Sequence, residues 1–283
     1  MIISRISDGL GNQMFMYACG YALAKQKDEN LVLDASLLDN HKSRNFDLQL
    51  FNITYSKLIS FKKFPLKYLR SFLRFLKDLF FECFFNSFYE KKTFSYNKDV
   101  FNISKNTYLS GYWQCEKYFK DYRDDLLRIF TPKIPRDESV VSLYSKMLED
   151  EYSVSLHIRR GDYVGIGCHL NFEFYIEAIK LMAEKLGVAF NCYVFSDDIE
   201  FCKERLVGFD SSVKFIYPEY NSDNTTFDDL LLMSKCKHNI VANSSYSWWG
   251  AWLNQNDKKI VICPDINMWT GDFYPEEWIK IKI

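Results

Sequence analysis

The sequence lacks the signatures of several common kinds of site. Its eight cysteines include no Cys-x-x-Cys pair, and the near pairs Cys168-His169 and Cys236-Lys-His238 do not have the spacing of zinc ligands, so we expect no metal site. The first residues, Met1–Ser7, form too short an apolar run for a signal peptide or a membrane anchor. These absences predict a cytoplasmic protein whose cysteines are reduced and mostly buried.

Two further motifs are incomplete or missing. The loop Ser7–Gly11 has two of the three glycines of the dinucleotide fingerprint, at Gly9 and Gly11, which argues against a nicotinamide enzyme. No Asp-x-Asp triplet occurs, so the usual carboxylate clamp for a metal-bound diphosphate is absent. The net charge of −1 argues against a nucleic-acid partner, and 283 residues with 48% hydrophobic content are enough for two globular domains.

The sequence does contain a regular alternation of strand and helix patterns. The first half predicts a strand over 2–6, a helix over 12–27, a strand over 31–34, a strand over 107–113 and a helix over 121–130. The second half predicts strand 152–158, helix 172–186, strand 191–195, helix 198–206, strand 213–217, helix 226–236, strand 238–242, helix 245–254 and strand 259–263. This alternation is typical of parallel, doubly wound sheets. The two prolines of the run 131–136 predict a stiff linker between two domains.

Residues 57–92 are unusually basic and aromatic. Nine lysines and arginines stand against three acidic residues, interleaved with phenylalanines and leucines. The segment is either a pair of basic amphipathic helices on an anionic membrane surface or a helical insert that packs on the first domain with its lysines in water. Its charges exclude a membrane-spanning helix. We predict the helical insert and keep peripheral membrane contact through residues 60–90 as a hypothesis.

Two adjacent arginines follow the strand predicted over 152–158. Arg159 and Arg160 stand where that strand runs out into a loop, and ligands of parallel sheets collect at this edge. The planar guanidinium group matches a phosphate bidentately and stays charged, so the pair predicts an anion site. The alternative is a surface salt bridge with Asp162.

Polar residues also follow the other predicted strands of the second half. Asp197 and Asp198 come after one strand, and Asn243, Ser244 and Ser245 come after another. Together with the arginines they make a set suited to a nucleotide, because a carboxylate can accept hydrogen bonds from guanine and a helix start can bind phosphate. The alternative is that one aspartate and one serine only cap the following helices. We expect Trp248 and Trp249 to lie in the core rather than to stack on a ligand.

Four motifs together resemble those of the α-1,2-fucosyltransferase family of bacteria and animals. They are Gly9-Leu-Gly-Asn-Gln-Met-Phe15, His157-Ile-Arg-Arg-Gly-Asp-Tyr163, Phe195-Ser-Asp-Asp198 and Ser244-Ser-Tyr-Ser-Trp-Trp-Gly-Ala-Trp-Leu253. The resemblance implies an α/β fold of the GT-B type, with two Rossmann-like domains and the donor cleft between them. The domain of residues 1–135, with its insert 57–92, would face the acceptor, and the domain of residues 136–283 would bind the donor.

The same resemblance implies an inverting galactoside α-1,2-fucosyltransferase that uses GDP-fucose as a substrate and needs no metal or cofactor. It makes Arg159 and Arg160 the diphosphate-binding pair. The other donor contacts that it implies are His157 with Asp197 or Asp198, Asn243, Ser244 and Ser245, and from the first domain Gly9, Gly11, Asn12 and Gln13. In one departure, members of the family usually have glycine where this chain has Asp8.

The residues supply cations for the leaving diphosphate but leave the identity of the general base open. Without a metal, fixed cations must neutralise the departing diphosphate, which falls to Arg159 and Arg160. The general base is Asp162 or Asp8, unless the departing phosphate collects the proton itself. The implied acceptor is a galactose-terminated glycan of the O-antigen or capsule kind, with a lipid carrier as a hypothesis. The alternatives are another GDP-sugar transferase of the GT-B type and a non-catalytic carbohydrate-binding protein.

Overall fold

The computed structural model describes residues 1–131, 137–220, 225–266 and 271–283. They form two compact units. The first unit takes in Met1–Ile134 and Thr270–Pro275, and the second takes in Pro135–Trp269 and Glu276–Ile283. Apart from Thr131, the predicted linker 131–136 lies outside the described residues, and so does the predicted boundary between 135 and 136.

The first unit is built on a parallel sheet. Its strands are β1 (Ile2–Arg5), β2 (Leu31–Asp34), β3 (Lys57–Ile59), β4 (Asn86–Tyr89) and β5 (Thr107–Ser110). Among the described residues their order is β3-β2-β1-β5-β4, and each pairing is parallel. The α-helices are α1 (Leu10–Gln26), α2 (Lys67–Phe84) and α3 (Arg123–Ile129). Short 3₁₀ turns lie at Leu38–Asn40, Asp47–Leu50, Lys98–Asn102, Glu116–Tyr118 and Lys120–Tyr122.

Helix α1 is buried on nearly all sides and packs closely on the sheet. Its residues from Leu10 to Ala24 are buried apart from Asn12. A Cβ atom at Gly20 would lie 2.8 Å from the Cβ atom of Ser4 on β1, so only glycine allows this approach. The close packing fixes the position of the loop that joins β1 to α1.

The second unit is also built on a parallel sheet. Its strands are β6 (Ser153–Ile158), β7 (Phe190–Ser196), β8 (Val213–Ile216), β9 (His238–Ile240), β10 (Val261–Asp265) and β11 (Ile279–Lys282). Its helices are α4 (Glu138–Glu149), α5 (Gly161–Gly165), α6 (Phe172–Leu186), α7 (Ile199–Leu206), α8 (Thr225–Met233) and α9 (Ser245–Trp252). Among the described residues the strand order is β11-β10-β9-β6-β7-β8, with parallel pairings throughout.

Both sheets reverse their strand order at a central pair. In the second sheet the chain moves outward from β6 through β7 and β8, and then returns to the other side of β6 at β9. In the first sheet the corresponding pair is β1 and β5. Ligands of doubly wound sheets bind outside the carboxyl ends of the strands at such a switch point.

Most predicted elements are confirmed, with shifts at their ends. The predicted helix 172–186 coincides with α6, which Asn171 caps at one end and Gly187 ends at the other, in a left-handed conformation with φ of 66°. The sequence patterns did not reveal α4 or β11. The pair of helices considered over 57–92 was wrong, because a single helix, α2, lies between the two strands β3 and β4.

Residues 271–275 pack with the first unit, although they follow most of the second unit in sequence. The ring of Phe273 lies 6.1 Å from that of Phe15 on α1. Asp272 accepts a hydrogen bond from the backbone N–H of Tyr96 at 2.9 Å and pairs with Lys117 at 2.6 Å. The sequence alone had assigned these residues to the second domain.

A buried ion pair attaches α2 to the first sheet. The Nζ atom of Lys77 lies 2.5 Å from an Oδ2 atom of Asp34 at the end of β2, and both side chains are at least nine-tenths buried. The same carboxylate accepts hydrogen bonds from the Tyr108 hydroxyl at 2.7 Å and from the Ser36 backbone at 3.1 Å. Such a pair is retained because either charge alone would be costly to bury.

We expect the Lys77→Met variant to be destabilised by about 3–5 kcal/mol, because it leaves the Asp34 carboxylate buried without its cation. Chemical denaturation measures the free energy of unfolding. The matched control is Lys67→Met on the same helix, where the lysine is exposed and the expected change is within about 0.5 kcal/mol. Equal effects of the two substitutions would contradict a role for the buried pair.

Candidate active site

The predicted arginines lie at the switch point of the second sheet. Strand β6 is buried along its whole length and ends at Ile158, directly before Arg159. In the parallel register of β6 and β7, Ile158 lies opposite Ser196. The residues that follow both strands therefore leave the sheet side by side, which brings the two arginines to Asp197 and Asp198.

Arg159 is held by two carboxylates. One guanidinium nitrogen lies 2.7 Å from an Oδ2 atom of Asp197, and the other donates to Asp162 at 2.5 Å. The guanidinium group also lies 5.3 Å from the centre of the Tyr163 ring. About a quarter of the arginine side chain, 26%, remains exposed, so a ligand can still reach it.

Arg160 is held by an aromatic ring and a third carboxylate. Its guanidinium carbon lies 3.4 Å from the centre of the Phe201 ring, and its Nε atom donates to Asp198 at 2.9 Å. Stacking on an aromatic face restrains a guanidinium group while leaving its other edge available. The side chain is 22% exposed.

Asp197 joins the two arginines through the backbone. Its Oδ1 atom accepts a hydrogen bond of 2.8 Å from the backbone N–H of Arg160, while its Oδ2 atom pairs with Arg159. A Cβ atom at Gly161 would lie only 2.4 Å from that Oδ2 atom. The glycine of the Arg-Arg-Gly-Asp run is thus required for the Asp197 carboxylate to come this close, a role that the sequence did not reveal.

This geometry bears on what was expected of the acidic residues. The salt bridge with Asp162 that was the alternative for the arginines is present, and it is made by Arg159. Asp197 and Asp198, one of which the resemblance implied as a donor contact, both pair with arginines. Asp198 also caps α7, since its side chain accepts from the backbone N–H of Phe201 at 3.3 Å, which confirms the alternative that one of the two aspartates is a cap.

His157 is a buried residue at the end of β6 with unused hydrogen-bonding capacity. Its side chain is 4% exposed, and among the described residues its Nδ1 atom has no hydrogen-bond partner. Its ring lies 5.4 Å from that of Tyr246. Burial, with a further contribution from the charge of Arg159, lowers the pKa of His157 to about 3, so the imidazole is neutral at physiological pH.

The loop after β9 offers a second buried polar atom and a helix start. The side-chain N–H of Asn243 donates to the Cys168 carbonyl at 2.7 Å, but the Asn243 Oδ1 atom is buried without a partner among the described residues. Ser244 caps α9, accepting from the backbone N–H of Tyr246 at 3.3 Å, as the capping alternative predicted. Ser245 is the first residue of α9 and is half-buried. Buried polar atoms without partners are uncommon and often mark a ligand site.

Trp248 and Trp249 belong to the core. Both are 0% exposed, and their rings pack at 5.0 Å from each other and at 6.0 and 5.1 Å from Trp252. The prediction that they are core residues is therefore confirmed. Their packing fixes α9, and with it the position of Ser244 and Ser245.

The glycine loop of the first unit has an acidic residue in a strained backbone conformation. Asp8 has a φ angle of 64°, in the left-handed region that favours glycine. This conformation explains why relatives are expected to carry glycine here. The Asp8 carboxylate accepts hydrogen bonds from the hydroxyls of Ser7 at 2.7 Å and of Tyr112 at 3.1 Å, which stabilise the turn.

The remaining predicted residues of the first unit lie at the start of α1. Gly9 caps the helix, and Gly11 is buried in its first turn. Asn12 accepts a hydrogen bond from Gln114 at 2.9 Å, across the switch point. Gln13 is fully buried, donating to the carbonyls of Asp8 at 2.8 Å and Asn45 at 2.7 Å and accepting from the Asp47 N–H at 3.0 Å. Gln13 therefore holds the loop and has no donor left for a ligand.

A pocket of about 380 Å³ lies next to Arg160. Sequence reasoning missed it, and it missed Phe201 as well. The sequence did contain a signal for Phe201. It follows the helix cap Asp198 by three positions, which places it in the first turn of α7, beside the loop that carries the aspartates. The pocket is lined by Ile158, Arg160, His169, Leu170, Asn171, Phe172, Tyr175, Phe201 and Arg205.

The cysteines show no sign of metal or disulfide chemistry in the described part of the chain. All eight are free, and six of them are buried. Within the described ranges, no three His, Cys, Asp or Glu side chains come together in a way that could hold a metal ion.

Comparisons with known proteins identify the family of the chain. A family model described as Glycosyl transferase family 11 matches residues 1–282. The chain is 35% identical to the alpha-1,2-colitosyltransferase of Escherichia coli over 308 residues, covering 100% of this chain and 99% of that protein. It is 34% identical to the O-antigen biosynthesis glycosyltransferase WbnK of Escherichia coli, covering 92% and 93% of the two chains. A galactoside 2-alpha-L-fucosyltransferase of Caenorhabditis elegans is 25% identical over 63% of this chain and 53% of that protein.

Solved structures share the fold at low sequence identity. Arabidopsis thaliana FUT1, solved in complex with GDP, is 12% identical, with a TM-score of 0.52 over 94% of this chain and 71% of that chain. NodZ alpha-1,6-fucosyltransferase, soaked with GDP-fucose, is 14% identical, with a TM-score of 0.50 over 89% and 91% of the two chains. These likenesses confirm the two parallel-sheet α/β units of a GT-B-type fold.

The low pKa of His157 predicts a pH-dependent stability. Above the ordinary histidine pKa of 6.5 neither the folded nor the unfolded state is protonated at this residue, but as pH falls from 6.5 toward 3 only the unfolded state binds the proton. The folded state is therefore destabilised by up to about 1.4 kcal/mol per pH unit in that window.

We expect the His157→Gln variant to lose this component, so that its free energy of unfolding falls less steeply between about pH 6.5 and about pH 5 than that of the wild type. Urea denaturation at several pH values measures both slopes. Burial also lowers the pKa of His238. Because His238 is present in both proteins, its contribution to the pH dependence cancels when the two slopes are compared. Identical slopes would show that His157 titrates normally.

Proposed function

The chain belongs to glycosyl transferase family 11 and is a glycosyltransferase, and from this premise we propose that it is a galactoside α-1,2-fucosyltransferase. In the proposed reaction the 2-hydroxyl oxygen of a galactose bonds to C1 of the fucosyl group. The bond between C1 and the diphosphate oxygen breaks, and its electron pair leaves with GDP. Attack from the side opposite the diphosphate inverts C1 and gives the α-1,2 link. The proton of the hydroxyl passes to a base.

The observation that carries the proposal is the arginine pair at the switch point. Arg159 and Arg160 follow the central strand β6, and each retains about a quarter of its surface for a ligand. A leaving diphosphate gains negative charge in the transition state, and fixed cations stabilise that charge without rearranging. No metal is needed in this scheme, because the two guanidinium groups supply the positive charge.

The carboxylates around the arginines are proposed to position them. Asp197 and Asp198 hold the two side chains, and Phe201 supports Arg160 from one side. A diphosphate then meets cations whose orientation is already set, which reduces the entropy lost on binding. The donor contact that the family resemblance implied for Asp197 or Asp198 stays a prediction beside this role.

His157, Asn243 and the start of α9 are proposed to complete the donor site. The unpartnered Nδ1 atom of His157 and Oδ1 atom of Asn243 are buried, and a bound donor would provide the partners that they lack. Neutral His157 can accept or donate a hydrogen bond without adding charge. Ser244 and Ser245 stand at the helix start, where backbone N–H groups favour a phosphate.

Two acidic residues remain candidates for the base. Asp162 is 52% exposed and pairs with Arg159, so it stands beside the proposed diphosphate. Asp8 belongs to the first unit and is held by Ser7 and Tyr112. An Asp162→Asn variant with an unchanged pH–rate profile would exclude Asp162 and favour Asp8 or the departing phosphate.

The relatives support the reaction class and favour one second candidate. The Caenorhabditis elegans protein acts on galactosides by its name, which supports the acceptor. The name of WbnK from Escherichia coli places that relative in O-antigen biosynthesis, which supports a bacterial surface glycan. The 35% identical relative is a colitosyltransferase, and colitose is L-fucose without its 3-hydroxyl group. Transfer of colitose to the same acceptor position is therefore the second candidate.

A cytoplasmic location remains part of the proposal.

The experiment that tests the function is a turnover screen. GDP-fucose, GDP-colitose and GDP-mannose are offered with a panel of galactosides, and NMR identifies the new linkage. We expect α-1,2 transfer from GDP-fucose that continues after chelator treatment. Preference for GDP-colitose would favour the second candidate. Activity that returned only with added magnesium or manganese would overturn the proposed role of the arginines.

In the same assay we expect Arg159→Ala and Arg160→Ala each to lower kcat by about 10²–10³, the usual loss when a charge-stabilising donor is removed from a transition state. Circular dichroism and thermal unfolding check that the fold persists. Arg128→Ala, which removes an exposed arginine from the first unit, is the control and should retain full activity. Near-wild-type turnover in either site variant would refute the assignment.

The contact between Gly161 and Asp197 gives a second prediction. Gly161→Ala would push a methyl group against the Asp197 carboxylate, and we expect at least about tenfold weaker GDP binding by calorimetry because Arg159 loses its orientation. Gly165→Ala is the matched control, since it lies at the other end of the short helix α5 with no atom within 4 Å of the added Cβ. Equal GDP affinities for the two variants would contradict the positioning role.

A further inference from the structure

Helix α2 turns its polar side toward its own unit. Lys77 pairs with buried Asp34, and Arg70 donates to the Asp39 carbonyl at 2.6 Å. On the same side, the Ser71 hydroxyl accepts from the side chain of Asn40 at 3.2 Å. These contacts fasten the helix to the sheet through charged and polar groups.

The apolar side of α2 faces outward. A helical spacing of three and four residues puts the apolar residues on one face, and in an ordinary surface helix that face packs on the core. Here it is exposed. The exposed apolar side chains are Tyr68 (89%), Leu69 (36%), Phe72 (55%), Phe75 (62%), Leu76 (43%), Leu79 (49%), Phe80 (50%) and Phe84 (70%).

The helical insert packs on the first unit and most of its lysines are exposed, as predicted, but the direction of its apolar face was not expected. Lys77 is the buried exception among the lysines of residues 57–92, and the aromatic side chains of α2 itself are exposed, apart from Phe81. An apolar patch of this extent is rare on the surface of a protein without a binding role.

Positive charge flanks one end of the exposed apolar face. Lys62, Lys63 and Lys67 are exposed just before or at the start of α2, beside Phe64 and Leu66, which are 41% and 64% exposed. Residues 57–92 contain nine basic and three acidic residues, whereas the whole chain has a net charge of −1. Positive charge is thus concentrated in the segment that carries this face, with Asp78 and Glu82 as the exposed acidic residues of the helix. A basic segment with an exposed apolar face is the combination that amphipathic helices use on anionic lipid surfaces.

An apolar pocket lies behind the helix. It has a volume of about 600 Å³ and reaches from Ile3 and Val32 of the sheet to Phe80, which also belongs to the exposed face. The apolar surface therefore continues from the face of the helix into the unit.

We propose that α2 docks the protein on an anionic lipid bilayer, lying in the membrane interface with its apolar face among the lipid chains and its flanking lysines on the headgroups. Within the described residues no helix is long and apolar enough to cross a membrane. A second copy of the chain is a poorer occupant, because a twofold contact would bring two basic rims together. The proposal does not rest on the identity of the sugar donor.

Vesicle flotation tests the proposal with the whole protein. We expect binding to phosphatidylcholine vesicles that contain phosphatidylglycerol, little binding to phosphatidylcholine alone, and weaker binding at high salt. Equal binding to both kinds of vesicle, or no binding to either, would overturn the proposal.

Two sets of variants separate the apolar and the electrostatic contributions. The combined Phe72→Ser, Phe75→Ser and Leu79→Ser change should weaken binding at least about tenfold, and the combined Lys62→Gln, Lys63→Gln and Lys67→Gln change should weaken it by a similar factor. Matched controls use exposed residues of the second unit. They are Val141→Ser, Leu148→Ser and Val207→Ser for the apolar set, and Lys180→Gln, Lys185→Gln and Lys214→Gln for the basic set.

Cys83 provides a direct measurement of insertion. Its thiol is exposed, and helical spacing puts it on the apolar face, so a polarity-sensitive dye can be attached there in a Cys168→Ser background. We expect a blue shift and quenching by brominated lipid chains on vesicle binding. A dye that stays in water on vesicle-bound protein would overturn the docking mode.

Two further measurements distinguish membrane docking from catalysis and from self-association. Turnover of a water-soluble galactoside should be unchanged in the apolar triple variant, which separates loss of docking from loss of activity. Sedimentation velocity measures self-association. A wild-type dimer that fails to bind vesicles and that the apolar triple variant converts to a monomer would show that a second copy covers the face, and would overturn the proposal.

Discussion

The carboxylate of Asp197 imposes the main constraint on the candidate active site. One of its oxygens accepts from the backbone of Arg160, and the other pairs with the side chain of Arg159. The parallel register of β6 and β7 brings the carboxylate to both arginines, and the absence of a side chain at Gly161 leaves room for it. Asp197 thereby holds the side chain of one arginine and the backbone of the next.

The two units follow the same architectural rule with different chemistry. In each sheet, polar residues gather where the strand order reverses, at β6 and β9 in the second unit and at β1 and β5 in the first. The second unit presents cations and unpartnered buried polar atoms there. The first presents the Asp8 carboxylate, in contact with Tyr112, and Asn12, in contact with Gln114.

Long elements and strand-end motifs could be predicted from the sequence because their signals are local. Helix α6 has a capping asparagine, a regular apolar period and a terminal glycine. The meeting of the arginines with Asp197 and Asp198 follows from parallel strands alone. The choice of Asp162 as partner of Arg159 depends on side-chain conformations that no spacing specifies. The amphipathic pattern of α2 likewise defines an apolar face, but not the direction in which that face points.

The contribution of residues 271–275 to the first unit bears on the synthesis of the protein. Asp272 and Phe273 contact Tyr96, Lys117 and Phe15, so the first unit lacks these contacts while the ribosome is still making β6 to β10. The strands of the second unit up to β10 are complete in sequence before the first unit receives its last segment. A nascent chain that has emerged only as far as residue 131 therefore exposes the surface of Phe15 that Phe273 later covers, and apolar surface exposed in this way during synthesis favours aggregation.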